Sequence, residues 1–247
     1  MSYEQFARVY DELMNDVDYP QWIKIVRDAC KTHAPNTRTF LDVGCGTGTL
    51  SILLKQEGYE VTGVDLSDDM LMIANAKVME NNLSIPFFQQ DMRELEGFST
   101  FDAVGIFCDS LNYLETEEDV KQTFQTVHEH LVSDGLFIFD VHSIFKMEEI
   151  FKDETFTLND EEISYIWNCY EGQYPHSIEH DLSFFVLDPT TNQYNRFDEF
   201  HKQRTFSIEK YKQWLKEANF NVLDILGDFK QEIAQDAHRW IFICQKK

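Results

Sequence analysis

Positive charge is what this sequence has least of: 21 Lys and Arg stand against 44 Asp and Glu, a formal net charge of −23 over 247 residues. Such a chain repels phosphate backbones, which proteins ordinarily meet with clustered Lys and Arg. The densest basic stretch, Lys202, Arg204, Lys210, Lys212 and Lys216, is broken up by Glu199, Glu209 and Glu217. No nucleic-acid partner is therefore expected. An anionic membrane surface is disfavoured on the same ground, and no apolar run nears the roughly 18 residues that cross a bilayer. Cysteine is scarce as well: Cys30, Cys45, Cys108, Cys169 and Cys244 are odd in number and contain no C-x-x-C pair. That argues against a disulfide framework and a zinc site. The opening residues are polar and acidic and do not read as a signal peptide. The expectation is a soluble, cytoplasmic protein without a metal.

What is present is an alternating pattern. Tyr3, Phe6, Val9, Tyr10 and Leu13 recur at helical spacing, and a second helix is expected from Pro20 to about His33. Short apolar runs at 38–43, 59–64, 85–90, 101–107 and 136–141 read as strands. Helices are predicted between them over 50–57, 67–80, with Ser67 as N-cap, and 117–131. Strands alternating with helices predict a parallel sheet covered on both faces, with ligands bound at the edge where strands end. The pattern then changes. Residues 154–171, 178–188 and 194–206 are rich in Phe, Tyr, Ile and Thr and are separated by turn-like stretches, which predicts antiparallel strands. A helix after Ser207 and strands at 220–226 and 240–244 complete the chain.

The segment with most chemical content is Asp42-Val43-Gly44-Cys45-Gly46-Thr47-Gly48-Thr49. A strand ends, glycines let the backbone approach a ligand, and a helix N-terminus follows with free N–H groups. A dinucleotide site would want its third glycine at position 49, which is Thr. The acid at Asp42 would also serve a pyrophosphate poorly, whereas an ammonium or sulfonium ligand would gain from it. Asp65 ends the second strand, where a carboxylate accepts ribose hydroxyls. Asp91-Met92 ends the third, offering an acceptor for an adenine amino group and an apolar side for its ring.

Taken in order, VGCGTG, the acid of VDLS, the acid of QQDM, FDAV and DGLFIFD resemble the class I S-adenosylmethionine-dependent methyltransferases, most closely bacterial small-molecule enzymes of the glycine N-methyltransferase type. The resemblance implies a Rossmann-like α/β fold: a seven-stranded, mostly parallel sheet whose last strand, about 238–245, is antiparallel. Residues 1–151 and 207–247 would form this core, with helices in 1–35 as a cap, and 152–206 an inserted antiparallel β lid. By position, Gly44, Cys45, Gly46 and Gly48 would line the methionine part of the cofactor. Asp65 and Leu66 would meet the ribose, Asp91 and Met92 the adenine, and Cys108 the neighbourhood of the sulfonium. Tyr10 and Trp22 would cover the carboxylate end, although an amphipathic helix needs such aromatics for its core anyway.

The expected reaction is transfer of the methyl group to a small-molecule acceptor, leaving S-adenosylhomocysteine, driven mainly by proximity and orientation. Candidates for moving an acceptor proton are Asp109, Tyr113, His142 and His201. The insert is both aromatic and acidic (Phe156, Tyr165, Trp167, Tyr170, Tyr174), which suits an amine-bearing acceptor. A buried Cys108 reads as a packing residue and not a nucleophile. His176 and His180 have helical ligand spacing but fall in a predicted hairpin, so they should not converge on a metal. His128 and His130 are expected at the surface. Two other readings stay open: a sensor that binds S-adenosylmethionine without turnover, and an NAD-dependent oxidoreductase, against which Asp42 and Thr49 argue. The oligomeric state is not legible.

Overall fold

The structure, a computed structural model, describes residues 17–247. The helix expected over 3–14, and Tyr10 with it, lie outside the described residues. The first described helix, α1 (Tyr19–His33), starts where Asp18 accepts a hydrogen bond from the Gln21 amide at 3.1 Å and Pro20 occupies the first turn. Its buried stripe of Trp22, Ile23, Ile25, Val26, Ala29 and Cys30 faces the sheet.

Strands and helices then alternate as β1 (Thr39–Val43), α2 (Thr49–Gln56), β2 (Glu60–Asp65), α3 (Asp68–Glu80), β3 (Phe87–Gln89), β4 (Phe101–Ile106), α4 (Glu117–Glu129) and β5 (Leu131–His142). Ser67 caps α3, accepting from the Met70 amide at 3.3 Å. Thr116 caps α4, whose first turn carries Glu117, Glu118 and Asp119 against the positive end of the helix dipole. After the insert come α5 (Ile208–Glu217), β10 (Phe220–Gly227) and β11 (Arg239–Lys246).

The seven strands lie in the order β10-β11-β5-β4-β1-β2-β3. The pairs among β1 to β5 are parallel, while β11 runs antiparallel to both of its neighbours. Strand order therefore reverses between β1 and β4, which opens a crevice beyond their carboxyl ends. Apolar layers cover both faces. One holds Phe124, Phe137, Phe139, Tyr211, Trp214 and Phe242, with the Phe139 and Phe242 rings stacked at 4.7 Å. The other holds Trp22, Phe40, Leu54, Phe107, Ile138 and Ile241.

Boundaries moved where pairing overrode local pattern. The fifth strand, expected at 136–141, begins at Leu131 because that residue pairs with Phe101. The third, expected at 85–90, shrinks to Phe87–Gln89 because it is an edge strand held on one side only. The single segment expected at 154–171 folds back on itself as β6 (Thr155–Asn159) and β7 (Ile163–Glu171). His128 and His130 are half-buried rather than superficial, His128 edge-on to Phe220 at 5.4 Å.

With β8 (Ser177–Asp188) and β9 (Gln193–Arg204), these strands make a separate four-stranded antiparallel sheet. Its inner face is seated at two places. Ile163, Phe184 and Phe197 pack with Met70 of α3. Cys169 and Ile178 pack with Met147 and Phe151, from the helical turn at 146–151 that follows β5. Among the described residues, no helix is long and apolar enough to cross a membrane.

Candidate functional site

The floor of the crevice is hung from the ends of β1, β2 and β4. After Val43 the chain turns sharply, the amides of Gly44 and Cys45 both donating to the Val64 carbonyl at 2.7 and 3.0 Å. Gly44 and Gly46 have φ of +70° and +54°, a region L side chains enter only at a cost. Their roles differ. A Cβ on Gly44 would stand 2.8 Å from the Ser110 Cβ, whereas a Cβ on Gly46 would meet nothing within 4 Å. Gly44 lets two loops touch; Gly46 leaves open space for a ligand.

Asp65 ties the two loops together. Its carboxylate accepts from the Gly46 amide at 2.7 Å and from the Ser67 amide at 2.9 Å. Burial raises its pKa while those amides pull it down. With the Leu66 amide also directed at it, about one of a carboxylate's roughly four acceptor positions is left for a ligand. Asp42, one strand inward, is almost wholly buried, and burial lifts its carboxyl to about 7 although the Ser51 hydroxyl donates to it.

A cavity of about 760 Å³ opens over these loops, within the range of roughly 300–1,000 Å³ typical of small-molecule sites. Gly44, Gly46, Asp65, Leu66, Asp91 and Met92 line it from the strand ends. Leu66 is 66% exposed, an apolar face available to a ring. Tyr113, Tyr174 and His201 line it as well, with Tyr113 edge-on to His201 at 5.8 Å. A smaller cavity of about 40 Å³ shares Gly44, Gly46 and Ser110 and adds Asp42, Cys45, Thr47 and Cys108. Burial lifts the Cys108 thiol to about 12, so it is not an ionised nucleophile at neutral pH.

Other expected site residues are placed elsewhere. Gly48 caps α2 and lies against Ala74 and Phe87. Trp22 is buried edge-on to Phe107 and Phe229, with the Arg239 guanidinium over its ring. Asp109 and His142 are close to one another, 3.3 Å from carboxylate to Nε2, but neither lines the cavity. They belong to a buried network with Arg239 and Asp140. Asp91 does line the cavity, yet Arg93 grips both of its oxygens at 2.9 and 2.6 Å and reaches Asp119 at 2.9 Å. That ion pair holds the Asp91 carboxyl below its usual range. His176 pairs with Glu148 and His180 with Trp167 and Gln203, so the two imidazoles diverge.

Sequence reasoning missed Ser110, Arg93 and Glu115, and named Tyr174 only as one of several aromatics of the insert. Only Arg93 had a local signal, two residues after Asp91; the others come from distant loops. The residues present fit S-adenosylmethionine. The side-chain-free approach at Gly46, the apolar pair Leu66 and Met92, the carboxylate of Asp65 and the buried acid Asp42 match its chain, ring, sugar and cationic end.

Residues 40–135 match a methyltransferase-domain family. A Geobacillus sp. (strain WCH70) protein that carries a provisional methyltransferase name is 52% identical, the alignment covering 100% of both chains. The crystal structure of an S-adenosylmethionine-dependent methyltransferase from Clostridium acetobutylicum ATCC 824 superposes with a TM-score of 0.91 at 30% identity, over 99% of this chain and 98% of that one. A dTDP-3-amino-3,4,6-trideoxy-alpha-D-glucopyranose N,N-dimethyltransferase of Streptomyces venezuelae is 31% identical over 53% of this chain and 55% of its own. With this strand order, glycine turn and pair of strand-end acids, the chain belongs to the class I S-adenosylmethionine-dependent methyltransferases.

Proposed function

We propose that the enzyme methylates a nitrogen of a small, amine-bearing acceptor held between the glycine turn and the insert, residues 152–206. The observation that carries this is the charge of the cavity wall. Asp65, Asp68, Asp69, Asp91, Glu115 and Asp119 line it against one cation, Arg93, which is already matched by two carboxylates. A wall of this sign concentrates cationic ligands and repels anionic ones. Tyr113 adds an aromatic face, which attracts cationic nitrogen further; Tyr174 lines the cavity with the Arg204 guanidinium already over its ring. The aminosugar dimethyltransferase of Streptomyces venezuelae, similar over half of this chain, supports the same acceptor class.

When bound, S-adenosylmethionine supplies a methyl carbon on positively charged sulfur that a nucleophile displaces in line, leaving S-adenosylhomocysteine. The chain's own residues would hold and orient. Gly44 and Gly46 admit the cofactor's main chain, Asp65 accepts from its sugar hydroxyls, and Leu66 and Met92 flank its ring. Asp42 offsets its cationic end. Fixing two reactants in this way lowers a barrier by up to about 7–11 kcal/mol. His201, whose pKa burial lowers, is uncharged at neutral pH and is the proton acceptor on the cavity wall; Tyr113 stands against it. Asp109 and His142 are left to the buried network.

Matched small amines, carboxylates and phenols supplied with the cofactor test the reading through release of S-adenosylhomocysteine. Turnover confined to amines is expected. Turnover of phenols or carboxylates alone overturns it.

A further inference from the structure

Phe107, Cys108, Asp109 and Ser110 make a tight turn at the end of β4, the Ser110 amide donating to the Phe107 carbonyl at 3.3 Å. Both central residues are left-handed, Cys108 at φ +55° and Asp109 at φ +56°. That is the backbone of a type I′ turn, a shape ordinarily given to Gly, Asn or Asp. Asp109 suits its place and Cys108 does not. Among the described residues ten that are not glycine have positive φ, and eight of those are Asn, Asp or His, the types that enter this region most readily. Cys108 is one of the two exceptions, so the turn is strained there.

Strain of this kind persists only where the surroundings over-determine it, and it gathers at ligand sites. Asp109 is held from several directions. Its amide donates to Asp140 Oδ2 at 3.0 Å. Its carboxylate takes Arg239 on Oδ1, and Gln203 and His142 on Oδ2. Just beyond the turn, the wholly buried Asn112 accepts from the His142 amide at 2.9 Å and donates to the Arg204 carbonyl at 2.7 Å. Arg239 belongs to β11, so the clamp on this turn comes from a strand at the far end of the chain.

The turn delivers Ser110 to the cofactor loop. Ser110 Oγ lies 2.8 Å from the Phe107 carbonyl and 3.2 Å from the Gly44 carbonyl, bonding to both, and Ser110 lines the main cavity and the smaller one alike. An ordinary backbone at 108 and 109 would swing Ser110 away from Gly44. We infer that Asp109 is a positioning residue for the cofactor: clamped by Arg239, it keeps the strained turn closed, so that Ser110 braces the Gly44 loop in the shape that binds S-adenosylmethionine. The inference rests on the placement of the cofactor's main chain at Gly44 and Gly46 proposed above. A protein released from the clamp holds the binding shape for only part of the time, and its apparent affinity falls by that fraction.

The test is calorimetry with S-adenosylhomocysteine at a temperature well below the melting point of every variant, with melting curves alongside. Asp109→Asn keeps a residue that tolerates the left-handed backbone but gives up the charge that Arg239 clamps, and it should bind about tenfold or more weakly. Adding Cys108→Gly to Asp109→Asn removes the strain, the turn stays closed without the clamp, and most of the lost affinity should return. Adding Cys108→Ala instead removes the thiol, keeps the strain and should restore nothing. A merely structural loss at Asp109 would be repaired by neither. The single variants at 108 leave the ion network whole and read the strain directly. Cys108→Gly should melt above Cys108→Ala, the reverse of the order at an ordinary site. Cys108→Ala melting higher, or Cys108→Gly restoring no more affinity than Cys108→Ala, overturns the inference. Undiminished binding by Gly46→Ala strikes the cofactor placement itself, an outcome on which the melting order at 108 does not depend.

Discussion

Gln203 donates through Nε2 to Asp109 Oδ2 at 3.0 Å, joining the four-stranded sheet to the loop that leaves β4. The same Asp109 receives Arg239 on its other oxygen at 2.8 Å, and its neighbour Ser110 donates to the Gly44 carbonyl at 3.2 Å. Two consecutive residues therefore connect the insert with the cofactor turn. Gln203 also meets His180 at 3.2 Å, and it lies two residues from His201 on the same face of β9. Gln203→Leu would strand His180 Nε2 and take one of two partners from Asp109 Oδ2, which keeps His142, a loss of about 1–3 kcal/mol for a buried polar group left unmatched. The expected kinetic signature is a KM for the acceptor raised several-fold, with S-adenosylhomocysteine affinity unchanged by calorimetry. A parallel loss of cofactor affinity would show that Gln203 does not act through the insert alone.

Beneath that link is a buried ion network. Arg239 pairs with Asp109 and with Asp140, which is wholly buried. Burial opposes ionisation of Asp109, but the charges of His142 and Arg239 hold its carboxyl well below the usual range. Removing one member of such a set leaves an uncompensated buried charge, costing about 3–5 kcal/mol. Arg239→Met should destabilise the fold by that order in urea titrations. Pairing it with Asp140→Leu should recover part of the loss, since one of the two carboxylates that Arg239 matched is removed with it, while Asp109 keeps His142 and Gln203. No recovery in the double variant would assign the cost to packing of Arg239 over Trp22 instead.

Asp42 gives a pH prediction with a definite sign. Its folded pKa is about 7 against an ordinary value of 3.8. Between those two values the folded state keeps a proton that the unfolded chain has lost, so stability falls as pH rises through this window. The shift corresponds to something on the order of 4 kcal/mol across it. A cationic ligand end in the adjoining small cavity would return Asp42 to its ionised form. Binding of S-adenosylhomocysteine, through its ammonium group, should then release up to one proton near pH 6 and almost none near pH 8.5. Calorimetry in two buffers of different ionisation enthalpy measures this release. Asp42→Asn should abolish it; proton release that persists in Asp42→Asn would belong to another group, Asp65 being the nearest acid in the same field.

How much of the site the sequence disclosed follows from how locally each part is built. Gly44, Gly46, Asp65, Leu66 and Met92 sit at strand ends within one alternating run, and an αβ repeat brings every such end to one edge. Their placement needed only the order of elements. Asp109 and His142 follow the same rule, being at the ends of β4 and β5, yet neither lines the cavity. A strand end fixes the edge of the sheet, while the direction of the side chain depends on partners such as Arg239 and Gln203, which are 130 and 94 residues from Asp109. Tyr174 and His201 converge on the cavity only because a separate sheet is seated on Met70 and Phe151. Its strands were legible from their composition, but the seating was not. Trp22 offered two readings, core the stronger and cover the weaker; its ring is in the core.

The two glycines of the turn allow cofactor binding to be separated from folding. Gly44→Ala puts a Cβ 2.8 Å from Ser110, on a backbone at φ +70°. Strain of this kind costs about 1–3 kcal/mol before any clash, and the collision is with a Cβ that cannot rotate away. Gly44→Ala should therefore lower the melting temperature and weaken cofactor binding together. Gly46→Ala has a similar φ of +54° but no neighbour within 4 Å, so only the backbone strain applies to the free protein. Its methyl group would occupy the space that admits the ligand. The expected outcome is a small stability loss with cofactor affinity reduced by about tenfold or more, as expected when a ligand is forced off hydrogen bonds worth about 1–3 kcal/mol. Thermal melts and calorimetry on both variants check the contrast. If Gly46→Ala binds S-adenosylhomocysteine as tightly as the wild type, the ligand does not pass over Gly46, and the turn's openness there has another purpose.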